Sequence, residues 1–90
     1  MDRYSEEARE IRNHIIDTAL EAQKKGHCVC VMLQSHAYDI FVTAMKGKLK
    51  EGKPYVIFTG VMLDGQNFAE QYQEIIEGLK ALCESNEEEG

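Results

Sequence analysis

The sequence predicts an α+β domain in the order α-β-β-β-α, a three-stranded antiparallel meander with two helices packed on one face. Three observations predict it. Apolar residues recur at helical spacing near both ends of the chain, three short β-rich runs lie between, and both links joining those runs are shorter than a parallel crossover requires. At 90 residues, 43% apolar and 29% charged, the composition is that of one small packed domain spanning residues 1–90, with about 1–4 and 85–90 fraying.

The first helix is expected over residues 5–25. Ser5 is the N-cap, Glu6 and Glu7 complement the positive end of the helix dipole, and Lys24 and Lys25 precede the stop at Gly26. At 100° per residue Ala8, Ile11, Ile15, Ala19 and Ala22 form one stripe, opposed by Glu10, Asp17 and Glu21, with Ile16 and Leu20 widening the apolar arc. His27 to Gln34 is too short and too rich in valine for a helix and is expected as a strand; Tyr38 to Met45 is the second strand, joined to it as a hairpin. A connector with glycines at 47 and 52 and Pro54 leads to the third strand, Tyr55 to Met62. Asn67 and Glu70 have the spacing of a capping box, opening a second helix whose apolar stripe is Phe68, Tyr72, Ile75, Leu79 and Leu82. Glu70, Glu74, Glu77 and Glu84 take the opposite side.

The strands do not alternate between apolar and polar residues, so both sheet faces are apolar while only two helices are present to cover them. Either strand ends, the connector and helix flanks wrap around the second face, or the face carrying Phe41, Met45, Tyr55, Ile57 and Val61 stays open, an apolar patch typical of an interaction site. Burying it against a twin is the simplest cover, which makes a homodimer the expected assembly.

Charge narrows the classes of partner. Sixteen acids against ten bases give a net charge of -6, which argues against a nucleic-acid backbone as the main partner. The connector from Lys46 to Lys53 holds four lysines and one glutamate, whereas residues 64–90 hold eight acids and one lysine. The longest apolar runs fall far short of the ~18 residues needed to cross a bilayer, and the first residues are charged without an apolar leader core. Three cysteines in no framework spacing point to a reducing, cytoplasmic setting.

Reactive residue types are present without a reactive pattern. Cys28, Cys30 and His36 supply potential zinc ligands, but Cys-x-Cys in a strand leaves the fourth ligand to remote Cys83, and core packing is the simpler reading; no metal or other cofactor is expected. No phosphate-binding glycine loop and no nucleophile elbow occurs, and the glutamates at helical spacing form a solvated face, so no catalytic residue is assigned and the chain is expected not to be an enzyme.

The element order resembles that of double-stranded-RNA-binding domains, in which lysines at the start of the second helix grip phosphates. Here that stretch is Gly65-Gln66-Asn67-Phe68-Ala69-Glu70, with no basic residue before Lys80, so the likeness stops at layout. Size, acidity and layout are also similar to small phage-encoded anti-CRISPR inhibitors, which occupy basic channels with acidic surfaces; that similarity is one of analogy. The expected function is that of a small acidic interaction or inhibitor protein, of the kind phages or mobile elements encode. It would present Glu70, Glu74 and Glu77 together with the apolar sheet face to a protein partner. The alternative is a small-molecule or nucleotide-binding protein with a pocket at a dimer seam near His36, Lys48 and Lys53.

Overall fold

Ser5 begins the first helix as its spacing predicts: its Oγ accepts a hydrogen bond from the Ala8 N–H at 3.1 Å, satisfying one of the amides left free at a helix start. In the computed structural model, which describes residues 2–85, the elements are α1 (Glu6–Lys24), β1 (Cys28–Leu33), β2 (Ile40–Met45), β3 (Ile57–Val61) and α2 (Phe68–Glu84). Residues 86–90, expected to fray, lie outside the described residues. Helix α1 ends where Gly26 takes a φ of 99°, a left-handed conformation that costs glycine nothing.

The strands form one antiparallel sheet in the order β1-β2-β3, and the two helices lie side by side on one of its faces, α1 against β1 and α2 against β3. Ala8, Ile11, Ile15, Ala19 and Ala22 are all buried, as the stripe requires. Leu20 is exposed, so the apolar arc of α1 is widened by Ile16 alone, which packs on the core edge. In α2 the buried residues are Ile75, Ile76, Leu79 and Leu82, with Phe68 and Tyr72 half-buried at the margin.

Register decides which strand residues meet the helices. Val29 pairs with Ala44 and Val31 with Val42; across the other ladder Ile40 pairs with Val61 and Ala44 with Ile57. These residues face the helices and, with Leu63, make the core. The alternate positions, Cys28–Met45, Cys30–Thr43, Met32–Phe41, Phe41–Gly60 and Thr43–Phe58, face away from it. This register corrects the expected uncovered face in two places: Ile57 and Val61 are core residues beneath the helices, and Phe58 stands on the open side instead.

One further expectation is corrected. Asn67 occupies the N-cap position of α2, but its side chain makes no capping bond; the link from β3 is held by Gln71, whose Oε1 accepts from the Met62 N–H at 3.0 Å. Arg3 reaches into the fold, with Nε 2.9 Å from a carboxylate oxygen of Asp39 and Nη1 donating to the Ser35 carbonyl at 3.2 Å. Asp39 is 1% exposed and accepts the Leu63 N–H at 2.7 Å through its other oxygen, while Arg12 approaches to 3.7 Å. One carboxylate thus ties the N-terminal arm and α1 to the end of the β2–β3 ladder where Ile40 meets Val61.

Candidate functional site

The sheet face away from the helices is open, and its exposed side chains are largely aromatic. Ring centroids run Tyr38 to Phe41 at 5.4 Å, Phe41 to Phe58 at 5.2 Å and Phe58 to Tyr55 at 5.4 Å, a contiguous series reaching from the turn before β2 to the start of β3. Phe58 is 65% exposed and Tyr55 52%, with Met32 and Val56 also exposed beside them. Gly60 makes the series possible: a Cβ there would lie 2.7 Å from the Tyr38 ring and 2.9 Å from the Ile40 carbonyl oxygen, so any larger residue would displace the ring or the strand. Apolar side chains bared to water at this scale cost roughly 25 cal/mol per Å² relative to burial.

Of the residues expected on this face, Phe41 lies at its centre, half-buried among the other rings, and Tyr55 at its edge. Met45 has the outward parity but is buried where β2 enters the connector. Ile57 and Val61 belong to the core. Phe58 was legible only through the ladder, because the parity of β3 relative to β2 depends on a register that the long connector leaves free.

Across the molecule, Glu70, Glu74 and Glu77 are all exposed on the outer side of α2, opposite its buried stripe, and Gln73 donates to Glu77 at 2.8 Å. Between the two helices lies a shallow groove of about 600 Å³ lined by Glu7, Glu10, His14, Phe68 and Tyr72. There the Tyr72 hydroxyl and His14 Nδ1 are hydrogen-bonded, and burial raises the phenol above its ordinary value of 10.0, so at neutral pH Tyr72 keeps its proton. Two carboxylates beside two aromatic rings form an environment that accommodates a basic side chain.

The connector is fixed at its start by a buried group that composition did not reveal. His27 is 4% exposed and its Nδ1 accepts the Gly47 N–H at 2.9 Å, while the Gly47 carbonyl accepts from Cys28 N–H at 2.9 Å. An accepting Nδ1 places the ring proton on Nε2. Lys46 and Lys48 therefore flank an anchored glycine, and Lys53 Nζ donates to the Lys48 carbonyl at 3.2 Å. Since α1 also ends here, Lys24, Lys25, Lys46, Lys48, Lys50 and Lys53 gather at one end of the fold.

His36 lies in the β1–β2 turn, at the end of β2 opposite Lys48 and Lys53, so these three candidates share no pocket within one chain. Cys28 and Cys30 face the open side of β1 as free thiols, and among the described residues no group of three or more His, Cys, Asp or Glu side chains is placed to hold a metal ion. Nor is any helix among them long and apolar enough to cross a membrane.

No family model matches the chain, and neither the curated proteins nor the solved structures contain a match to it.

Proposed function

We propose that this chain is a small, non-catalytic interaction protein of the cytoplasm that engages a protein partner and acts as an inhibitor by occupying a basic surface with its acidic helix layer. The observation that carries the reading is the separation of its two uncommitted surfaces: exposed carboxylates line the outer side of the helices, while exposed rings line the opposite side of the sheet. A field spread over several carboxylates raises the association rate with a basic partner and falls with ionic strength, whereas each exposed ion pair adds only about 0 to 1 kcal/mol. The helix groove beside Glu7 and Glu10 gives a basic side chain an aromatic surface to lie on. Three free cysteines fit a reducing compartment.

The test is affinity capture of partners from host lysate by the whole chain, in parallel with a variant carrying Glu70→Lys, Glu74→Lys and Glu77→Lys. The expected result is a captured protein with a basic surface, lost on the triple reversal, whose association with the purified chain slows as salt rises. Association rates that are indifferent to salt and to the reversal would remove the acidic layer from the interface. Stabilisation by a nucleotide or metal ion in a thermal-shift screen, without such a partner, would replace this reading with a ligand-binding one.

A further inference from the structure

We infer that the groove between α1 and α2 receives an arginine side chain and a neighbouring apolar side chain from one basic segment of a protein partner. This rests on the reading of the helix layer as the surface a basic partner meets, and names the segment it takes.

Two cavities lie in line along the helix seam. The first, of about 600 Å³, opens between Glu7 and Glu10 of α1 and Phe68 of α2; the second, of about 450 Å³, lies over Ile76 between Gln73 and Lys80. His14, Ala69 and Tyr72 line both, so they form one trough whose waist is the hydrogen-bonded His14–Tyr72 pair. Ile11 and Ile76 are buried and make its floor. Over the stretch from Phe68 to Lys80 the trough follows α2 for about 18 Å, long enough for a short segment rather than a single side chain.

The first cavity is acidic and has no cation of its own. Glu7 and Glu10 stand three residues apart, neighbours on one side of α1, and both are exposed without an ion pair among the described residues. At 100° per residue Arg9 falls on the far side of that helix, while Arg3 and Arg12 are held by Asp39. The amide ends of both helices also lie here and oppose a cation. Together they amount to roughly one positive charge, against the carboxylates of Glu6, Glu7, Glu10 and Glu70, so the negative field wins.

Arginine suits this cavity better than lysine. A planar guanidinium reaches two carboxylates through its fork while its face lies on the ring of Phe68 or Tyr72; a compact, strongly hydrated ammonium does only one of these well. The second cavity has another character. Its floor is Ile76, Glu77 is already bonded by Gln73, and Lys80 stands at the rim, which leaves room for an apolar side chain and repels a second cation. The two cavities lie about one turn of α2 apart, roughly 6 Å, the spacing of residues two apart in an extended segment or four apart in a helix.

The test titrates the isotope-labelled whole chain and follows its amide resonances. The probes are a blocked arginine-glycine-leucine peptide and an alanine-based helical peptide carrying arginine and leucine four residues apart. Each has a twin with citrulline, which keeps the shape and loses the charge, in place of arginine. At least one arginine probe is expected to saturate with a dissociation constant on the order of millimolar, with shifts centred on His14, Ala69 and Tyr72. Its citrulline twin is expected to bind about fivefold more weakly or worse, and Glu7→Gln with Glu10→Gln to weaken the arginine probe by about the same factor. Ala69→Leu, which narrows the wall common to both cavities, is the second disruption should the first variant fail to fold. Failure of both arginine probes to saturate, shifts centred outside the trough, equal binding of the citrulline twins, or indifference to both variants overturns the inference. Lysate capture that depends on Glu70, Glu74 and Glu77 but not on Glu7 and Glu10 would remove the groove and keep the acidic layer, so the two readings fail separately.

Discussion

Asp39 shows what a single residue does in a domain this small. Its carboxylate is buried, receives the Leu63 N–H, and holds Arg3 and Arg12 beside it. Removing the carboxylate strands two guanidinium groups that are themselves largely withdrawn from water, and leaves a buried amide without its acceptor. Breaking one side of such a pair costs about 3 kcal/mol or more, whereas an exposed pair costs under about 1. Asp39→Ala is expected to lower unfolding free energy by about 3 kcal/mol in urea titration, with Asp64→Ala, at the exposed end of the same arginine, costing under about 1 kcal/mol. Equal effects from the two would mean that Arg3 binds no more strongly inside than outside. Neither arginine nor Asp39 carried a signal in the sequence: an aspartate next to a strand resembles turn punctuation until Leu63 and Arg3 are folded against it.

At the scale of the element, helices were legible and strand faces only partly so. A helix carries its own phase, so the spacing of Ala8, Ile11, Ile15, Ala19 and Ala22 names its buried side without reference to a neighbour. A strand with apolar residues at both parities does not, and β3, set free by the connector from Lys46 to Pro54, could face either way until Ala44 met Ile57. That ambiguity exchanged Phe58 for Ile57 and Val61 in the expected open face, while Phe41 and Tyr55 were placed on it correctly. Caps divide along the same line. Ser5 bonds the Ala8 N–H, whereas Asn67 has the right type and spacing but no bond. Ser5→Ala is therefore expected to cost about 1 kcal/mol and Asn67→Ala only a few tenths, measured as paired shifts in the urea midpoint. A loss at Asn67 as large as at Ser5 would show that its capping bond forms in solution.

For the whole molecule, a homodimer through the open face, the assembly expected from the sequence, would make stability depend on concentration. A chain that buries the rings around Phe58 only against a twin gains its dimerisation free energy when folded and none when unfolded, so its thermal midpoint must rise with protein concentration. Two terms oppose each other as salt increases. Screening weakens any attraction between unlike charges across the contact, but it also relieves the repulsion of a chain with a net charge of -6 for itself. A contact made by apolar rings would draw its affinity mainly from burial, so the concentration dependence should survive at about 0.5 M salt. Raising the concentration a hundredfold across the dissociation constant should increase the melting temperature by several degrees in calorimetry. Phe58→Glu should abolish that slope while keeping the wild-type midpoint at the lowest concentration. A midpoint independent of concentration in the wild type would mean that the rings stay exposed in the free protein and await a different partner.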